Sequence, residues 1–346
     1  MKIPKQLNVI RRKVMRGLTK NMGQSNSTVK PGKEVIIKKI LISRPNHRLG
    51  NLLLLSPIVQ EVNDTFPDAR IDLFVKGSIS PIIFKNYKNI DQIIQLPKKP
   101  FSNLLKYIRS WSLLRWKKYD LVINTSHSSS SGKISTQLAN GDYKFFNEWS
   151  DELHSEYPDY PHAAKNPIYN LRKFLTHLGF ERNTGKVPFL NIKLSPEEIE
   201  TGKRKLEGIT KNDKKTICLF TNATGDKCYS NTWWASFYES LKMTFPDYNI
   251  VELLPVENIS RLDFKIPSFY STDIREMGAF IANTSVFIAA DNGVMHLASA
   301  VGTPTIGLFM VTDENAYKPY NDKSFSINTN NVKESEIPDL IKTVLQ

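Results

Sequence analysis

From residue 35 the chain alternates short apolar runs with stretches of helical periodicity. VIIKKILISR (35–44) reads as a strand, 52–63 as a helix, ARIDLFVK (69–76) as a strand, PIIFKNY as a short helix and IDQIIQL as a strand. A basic helix follows, then the strand YDLVIN (119–124) and a helical region over 162–178. After PFLNIKL the rhythm restarts, with strands at 216–223, 249–255, 285–291 and 304–309 and helices at 233–244, 274–283, 295–301 and 337–345. Strands alternating with helices predict parallel sheets covered on both faces. Two doubly wound halves meeting near residue 188 would place ligands at the carboxyl ends of the strands. No repeat of fixed period is visible.

Before the first strand the pattern differs. Ile3, Leu7, Ile10, Val14 and Leu18 fall at spacings of 4, 3, 4 and 4, one stripe of a helix, with Lys5, Arg12, Lys13 and Arg16 largely on its other sides. Residues 1–39 hold eleven basic side chains and one acid, Glu34, and so carry +10 of the net +13. The body is therefore not a general polyanion binder. A basic amphipathic segment suits an anionic membrane surface, the alternatives being a disordered tail or a helix packed on its own domain. GQSNSTVKPG (23–32) reads as a flexible linker. KKPFSNLLKYIRSWSLLRWKK (98–118) repeats the basic and apolar mixture, with Trp111 and Trp116 suited either to an interface or to the core. Without a nucleic-acid motif, no nucleic-acid partner is expected.

Composition excludes more than it identifies. With 346 residues, 40% hydrophobic and 23% charged, the chain is neither disordered nor collagen-like. No apolar run approaches the roughly 20 residues of a membrane span, and charges interrupt any secretory h-region. Cys218 and Cys228 are too few for a disulfide framework and read as reduced cytoplasmic thiols; no metal spacing is present. SHSSSSGKIS (126–135) fails as a phosphate loop, because His127 and Ile134 stand where glycine and a hydroxyl are needed, and reads as a polar loop.

The sharpest chemical signal is DNGVMHLASAVGTPTIGLF (291–309). Asp291 closes an apolar strand, Asn292-Gly293 turns, and a helix begins, so backbone N–H groups at Gly293, Val294, Met295 and His296 face a common point as an anion site. Gly293 would let backbone approach a ligand closely. Taken singly, these residues are equally a helix cap with a buried His296. Together, Asp291, Gly293, His296, Ala298, Gly302 and Pro304 resemble the signature of glycosyltransferase family 9, the heptosyltransferase family. RPNHRLGNLLLLSPIVQEVNDTFPDARIDLFV resembles the opening strand, turn and helix of that family, and TNATGDKCYSNTWW its diphosphate-binding segment.

The resemblance implies a GT-B α/β fold: two Rossmann-like domains facing across a cleft, an acceptor domain at 35–188 and a nucleotide-sugar domain at 189–346, behind the arm and linker of 1–34. It implies inverting transfer, with neither metal nor cofactor, from an NDP-sugar donor, commonly ADP-heptose, to a lipid-linked glycan such as lipopolysaccharide. The expected place is the cytoplasmic face of the bacterial inner membrane, as a peripheral protein. A diphosphate leaving group needs fixed donors for its developing charge. Asn222, Thr224, Gly225 and Lys227 stand on one side and Asp291 to His296 on the other, with Lys227 alternatively a solvated lysine. Glu257 is placed for the ribose hydroxyls or is a surface carboxylate; Thr272 and Ile274 are adenine-pocket candidates. Arg44, Arg48 and His127 are acceptor candidates.

One position departs from the family. Its general base is an aspartate after Leu-Gly; here that residue is Asn51, whose amide does not take up a proton usefully at neutral pH. Three explanations stand side by side. His47 on the same loop serves as base; a group elsewhere, Asp151, His154 or His127, serves; or the chain is a non-catalytic nucleotide-sugar binder.

Overall fold

The computed structural model describes residues 17–19, 22–28, 34–98 and 103–345. The first half runs β1 (Lys39–Arg44), α1 (Leu49–Leu53), α2 (Ser56–Thr65), β2 (Arg70–Lys76), α3 (Ser80–Ile83), β3 (Ile90–Leu96), α4 (Leu104–Trp116), β4 (Lys118–Asn124), α5 (Ser130–Leu138), β5 (Asn140–Phe145), α6 (Asp151–Glu156) and α7 (Asn166–His177). The second half runs α8 (Pro196–Thr210), β6 (Thr216–Phe220), a 3-10 turn (Gly225–Lys227), α9 (Asn231–Thr244), β7 (Asn249–Leu254), β8 (Ser268–Tyr270) and α10 (Ile274–Ala282). It continues with β9 (Val286–Ala290), α11 (Gly293–Ala300), β10 (Thr305–Phe309), α12 (Glu314–Tyr317), β11 (Phe325–Asn328) and α13 (Ile337–Leu345).

Both sheets are wholly parallel, as the alternating rhythm predicts. The first has the order β3-β2-β1-β4-β5 and the second β11-β10-β9-β6-β7-β8. Central strands are apolar on both faces because helices cover both: Ile40, Leu41 and Ile42 are all fully buried, as are Phe287, Ile288 and Ala289. In the second sheet, Trp234, Phe237 and Leu241 of α9 pack on Ile217, Leu219, Ile288 and Ile306. In the first, Leu114 of α4 packs on Phe74, Ile94 and Val122, with Tyr107 and Trp111 beside it.

Contacts divide the chain into two compact units. One holds the described residues up to His47, Pro57–Pro81 and Tyr87–Pro188; the other holds Arg48–Ser56, Ile82–Asn86 and the residues from Phe189 onward. Two short pieces of the first half thus belong to the second unit. The Asn191 amide donates to Ser56 Oγ (3.0 Å), and Asn86 Nδ2 donates to the Lys193 carbonyl (2.6 Å). Buried Arg275 of α10 pairs with Glu198 (2.6 Å) and donates to the carbonyls of Ile82 (3.2 Å), Ile192 (3.0 Å) and Lys193 (3.0 Å). The first unit has its own arginine staple, Arg172 on Glu61 at 2.7 Å, with the Gly185 carbonyl as a further acceptor.

Several expected elements are corrected. The polar loop of 126–135 is largely helix α5, started by Ser129 Oγ accepting from the Gly132 amide (3.1 Å). The single helix over 52–63 is two helices, α1 and α2. Strands β5, β8 and β11 and helices α6 and α8 had no clear reading from the pattern, although Ser195 and Glu198 form a capping box on α8. The arm's stripe lies outside the described residues except for Leu18, which is exposed. Of the expected flexible linker, 23–28 is docked. Asn26 bridges antiparallel to Lys144, its amide on the Lys144 carbonyl (2.8 Å), and the Ser25 amide donates to Glu148 (2.6 Å). The open edge of β5 offers backbone groups that this segment satisfies. Gly23 (φ +75) lies against the Phe146 ring, where a Cβ would come within 2.1 Å of it.

Candidate active site

In each parallel sheet the chain order reverses beside the first strand, between β1 and β4 and between β6 and β9. Such reversal points leave a crevice at the carboxyl ends of the strands. In the second unit, β9 ends there in Asp291 and feeds α11 through Asn292, whose side chain accepts from the amides of Val294 (2.8 Å) and Met295 (2.9 Å). Two of the four amides expected at the anion site are thus occupied by this cap. Asn292 Nδ2 donates to the Asn222 carbonyl (3.1 Å), tying the turn after β9 to the turn after β6.

Lys227, on the 3-10 turn after β6, forms an ion pair with Asp291 while its side chain stays partly exposed to solvent. Asp291 is buried, and its other oxygen lies 3.9 Å from His296 Nε2. Burial lowers the His296 pKa to about 4; Asp291 opposes that shift and Lys227 adds to it. The imidazole is neutral at physiological pH. One half-exposed cation, a buried carboxylate and a neutral imidazole therefore share the head of α11, a set able to meet phosphate oxygens and a sugar hydroxyl together.

Gly293 carries a different burden from the one its motif suggests. A Cβ there would lie 3.0 Å from Leu49 Cβ and 3.2 Å from the Gly50 amide nitrogen, and a Cβ on Gly50 would lie 2.8 Å from His296 Cδ2. Two glycines let α1 lie directly on α11, bringing the helix that carries Asn51 to the Asp291–His296 cluster. His47, four residues earlier, falls in the first unit.

The remaining donor candidates lie on turns of the second unit. Thr224 is exposed, and Gly225 has φ +63, the left-handed conformation that favours glycine. Glu257 is exposed on the turn after β7; Thr272 is exposed just before Asp273, whose side chain caps α10 through the Arg275 amide (2.7 Å). A carboxylate that motif reading missed is Glu252 of β7, fully buried, accepting from Thr221 (2.5 Å) and Ser260 (2.5 Å). Burial raises its pKa, against the two hydroxyl hydrogen bonds. Ser260 in turn accepts from the amides of Leu262 (3.0 Å) and Phe264 (3.1 Å), so Glu252 positions the loop after β7. The available signal was a lone glutamate inside the apolar run NIVELLP.

In the first unit, Arg44 at the end of β1 donates to the Thr125 carbonyl (3.3 Å), and His127 follows β4. Partial desolvation lowers the His127 pKa, with help from Lys133 and Arg44, so this ring is neutral as well. Arg48, the third acceptor candidate, stands at the N-cap position of α1 without a side-chain capping bond, and belongs to the second unit. His127, Asp151 and His154, separate in sequence, gather on Trp149: ring distances are 6.4 Å to His127 and 5.1 Å to His154, and the indole Nε1 donates to Asp151 (2.9 Å). Tyr160 closes the cluster 4.8 Å from Trp149. Trp149 was not singled out by sequence, although a tryptophan in the polar run FNEWSDELH is the signal for it.

Two parallel sheets, each with ligand-type groups at its reversal point, are the architecture of the GT-B α/β fold. The fold is shared with the glycosyltransferase family 9 structure from Veillonella parvula DSM 2008 (TM-score 0.69, 16% identity, covering 90% of this chain and 98% of that one). It is also shared with E. coli heptosyltransferase WaaC with ADP (TM-score 0.63, 16% identity, 88% and 99%). Residues 270–344 match the model for glycosyltransferase family 9 (heptosyltransferase). Lipopolysaccharide heptosyltransferase 3 of Escherichia coli is 23% identical over 296 residues, 79% of this chain and 84% of that relative. The chain is therefore similar to glycosyltransferase family 9 over residues 270–344, and to lipopolysaccharide heptosyltransferases over about four fifths of its length.

Proposed function

We propose that the chain transfers a heptose-like sugar, with inversion and without metal, from an NDP-sugar, ADP-heptose first, to a lipopolysaccharide-type acceptor. The observation that carries this is the Lys227–Asp291–His296 cluster at the head of α11, next to the Asn292 cap. Lys227 meets the diphosphate and balances charge as the glycosidic bond breaks. Asp291 and the neutral His296 take sugar hydroxyls. The relatives' names and the ADP complex of a structure with this fold support a nucleotide-sugar donor. Domain roles follow: the unit from residue 189 onward takes the donor, and Arg44 of the first unit favours an anionic acceptor, with the neutral His127 as a hydrogen-bonding partner.

Asn51 orients the acceptor hydroxyl, and an imidazole takes its proton, His47 or the desolvated His127. The other reading, a binder without transfer, rests on the amide at Asn51 alone. Among the described residues no helix is long and apolar enough to cross a membrane, and the proposed place of action is the cytoplasmic surface of the inner membrane.

The test is a panel of NDP-sugars, read by thermal shift and by product. Donor at a hundred times its Kd should stabilise the protein by about 2.7 kcal/mol. Stabilisation with transfer supports the enzyme; stabilisation with no transfer to any lipopolysaccharide core supports the binder. Rate against pH for wild type, His47→Ala, His127→Ala and Asn51→Asp then identifies the base. A hundredfold gain in Asn51→Asp would show that the site lacks a base.

A further inference from the structure

Helix α4 is capped by Asn103, whose side chain accepts from the Lys106 amide, and it turns one face to the sheet through Tyr107, Ser110, Trp111 and Leu114. The opposite face is also apolar. Leu105 is 84% exposed, Trp116 78%, and Leu104 and Ile108 52% each. Leu105 and Trp116 are eleven residues apart, three turns plus about 20°, so they share one line along the helix about 16 Å long. Trp111 belongs to the core, 5.3 Å from Phe74, whereas Trp116 does not.

Around this line the charge has one sign. Residues 98–118 contain no acid. Lys117 and Lys118 are paired, with Asp72 (2.9 Å) and Asp142 (3.2 Å), but Lys106, Arg109 and Arg115 have no ion pair among the described residues. Lys144 of β5 is held below the usual lysine range, by burial first and then by Arg115. Between α4 and the edge strand β3 runs a groove of about 530 Å³, lined by Ile94, Gln95, Leu105, Lys106 and Arg109 among others. It has an aliphatic wall and two cations, a seat for a lipid headgroup.

We propose that the outward face of α4, with this groove, is a docking surface for anionic phospholipid, Leu105, Ile108 and Trp116 entering the headgroup boundary while Lys106, Arg109 and Arg115 meet lipid phosphates. Charge complementarity selects this occupant. A second copy would bring two cationic faces together, and aliphatic side chains at the centre of the patch give nucleic acid little to stack on. The inference stands apart from which sugar is transferred.

The experiment is flotation of the full chain with phosphatidylglycerol/phosphatidylethanolamine vesicles and with phosphatidylcholine vesicles. Each exposed cation near an anionic surface contributes about fivefold to partitioning, so Lys106→Gln/Arg109→Gln/Arg115→Gln should weaken anionic-vesicle binding roughly a hundredfold. Leu105→Ser/Trp116→Ser should weaken it roughly tenfold or more. Both variants should keep wild-type nucleotide-sugar binding without vesicles, which separates failure here from failure of the donor assignment. Unchanged flotation of both variants, equal binding to phosphatidylcholine, or self-association or RNA binding in place of vesicle binding overturns the proposal. Should either variant misfold, brominated-lipid quenching of the wild type against Trp116→Phe decides: less quenching in Trp116→Phe supports the docking surface, and equal quenching overturns it.

Discussion

The two parallel sheets present the same kind of ligand position with opposite chemistry. At the reversal point of the second sheet, the charges are drawn inward and matched: Lys227 on Asp291, Asp291 beside His296, and Asn292 filling the cap of α11. At that of the first sheet, Arg44 and His127 stand near an aromatic cluster built on half-exposed Trp149. The shared topology provides a place, while the residues at the strand ends decide what that place can bind. Under the proposed function, the preorganised ionic site takes a diphosphate whose charge grows during reaction, and the ring cluster beside the Arg44 guanidinium takes a bulky anionic glycan.

The contrast can be broken first at the buried arginines. Arg172→Ala removes the cation paired with Glu61 in the first unit, and Arg275→Ala removes the cation paired with Glu198 and the donor to the Ile82 and Ile192 carbonyls in the second. Each should cost about 3–5 kcal/mol. Followed by hydrogen exchange, excess NDP-sugar should protect the second unit in Arg172→Ala as in wild type, and protection of the first unit alone would reverse the assignment of donor and acceptor.

A smaller effect tests the inward-drawn charges. An unfolded histidine takes up its proton near pH 6.5, whereas folded His296 does so only near pH 4. Stability from its neutral form is therefore fully present above pH 6.5 and lost as pH falls through 4, by up to about 3 kcal/mol. Urea unfolding against pH should show this loss in wild type and not in His296→Gln; parallel curves would mean that the imidazole is not held neutral.

Lys227→Ala should weaken donor binding by about 1.5–3 kcal/mol, as for a hydrogen bond to a charged group, while Arg44→Ala leaves donor Kd within about twofold and raises acceptor KM. Calorimetry on the two variants checks this, and equal donor losses would erase the distinction between the sheets. The smallest effect is steric. Gly50→Val crowds His296 and should destabilise by about 1–3 kcal/mol, measured as a thermal shift.

Central strands were readable before the structure because their signal is local. A run such as VFIAAD needs only its own residues to announce a strand buried on both faces, and helices such as α13 carry their stripe in nine residues. Edge strands β5, β8 and β11 were missed because a short, half-exposed strand has a weak apolar pattern and is completed by its neighbour's hydrogen bonds. In the same way, the DNGVMH string marked a strand–turn–helix and listed the groups at its head, but not how those groups were already engaged.

The sequence by itself determined the parallel α/β architecture, the chemical inventory of the turn after β9 and the concentration of charge ahead of β1. Only the tertiary structure decided that Asn292 occupies two of the helix-head amides, that Gly50 and Gly293 are small because α1 lies on α11, and that burial keeps His296 neutral. It also separated Trp111 from Trp116, one in the core and one exposed, though both stand on the same helix. Periodicity and composition are properties of neighbours along the chain. Desolvation, steric room and hydrogen-bond occupancy are set by groups that meet from distant positions, and no local pattern encodes them.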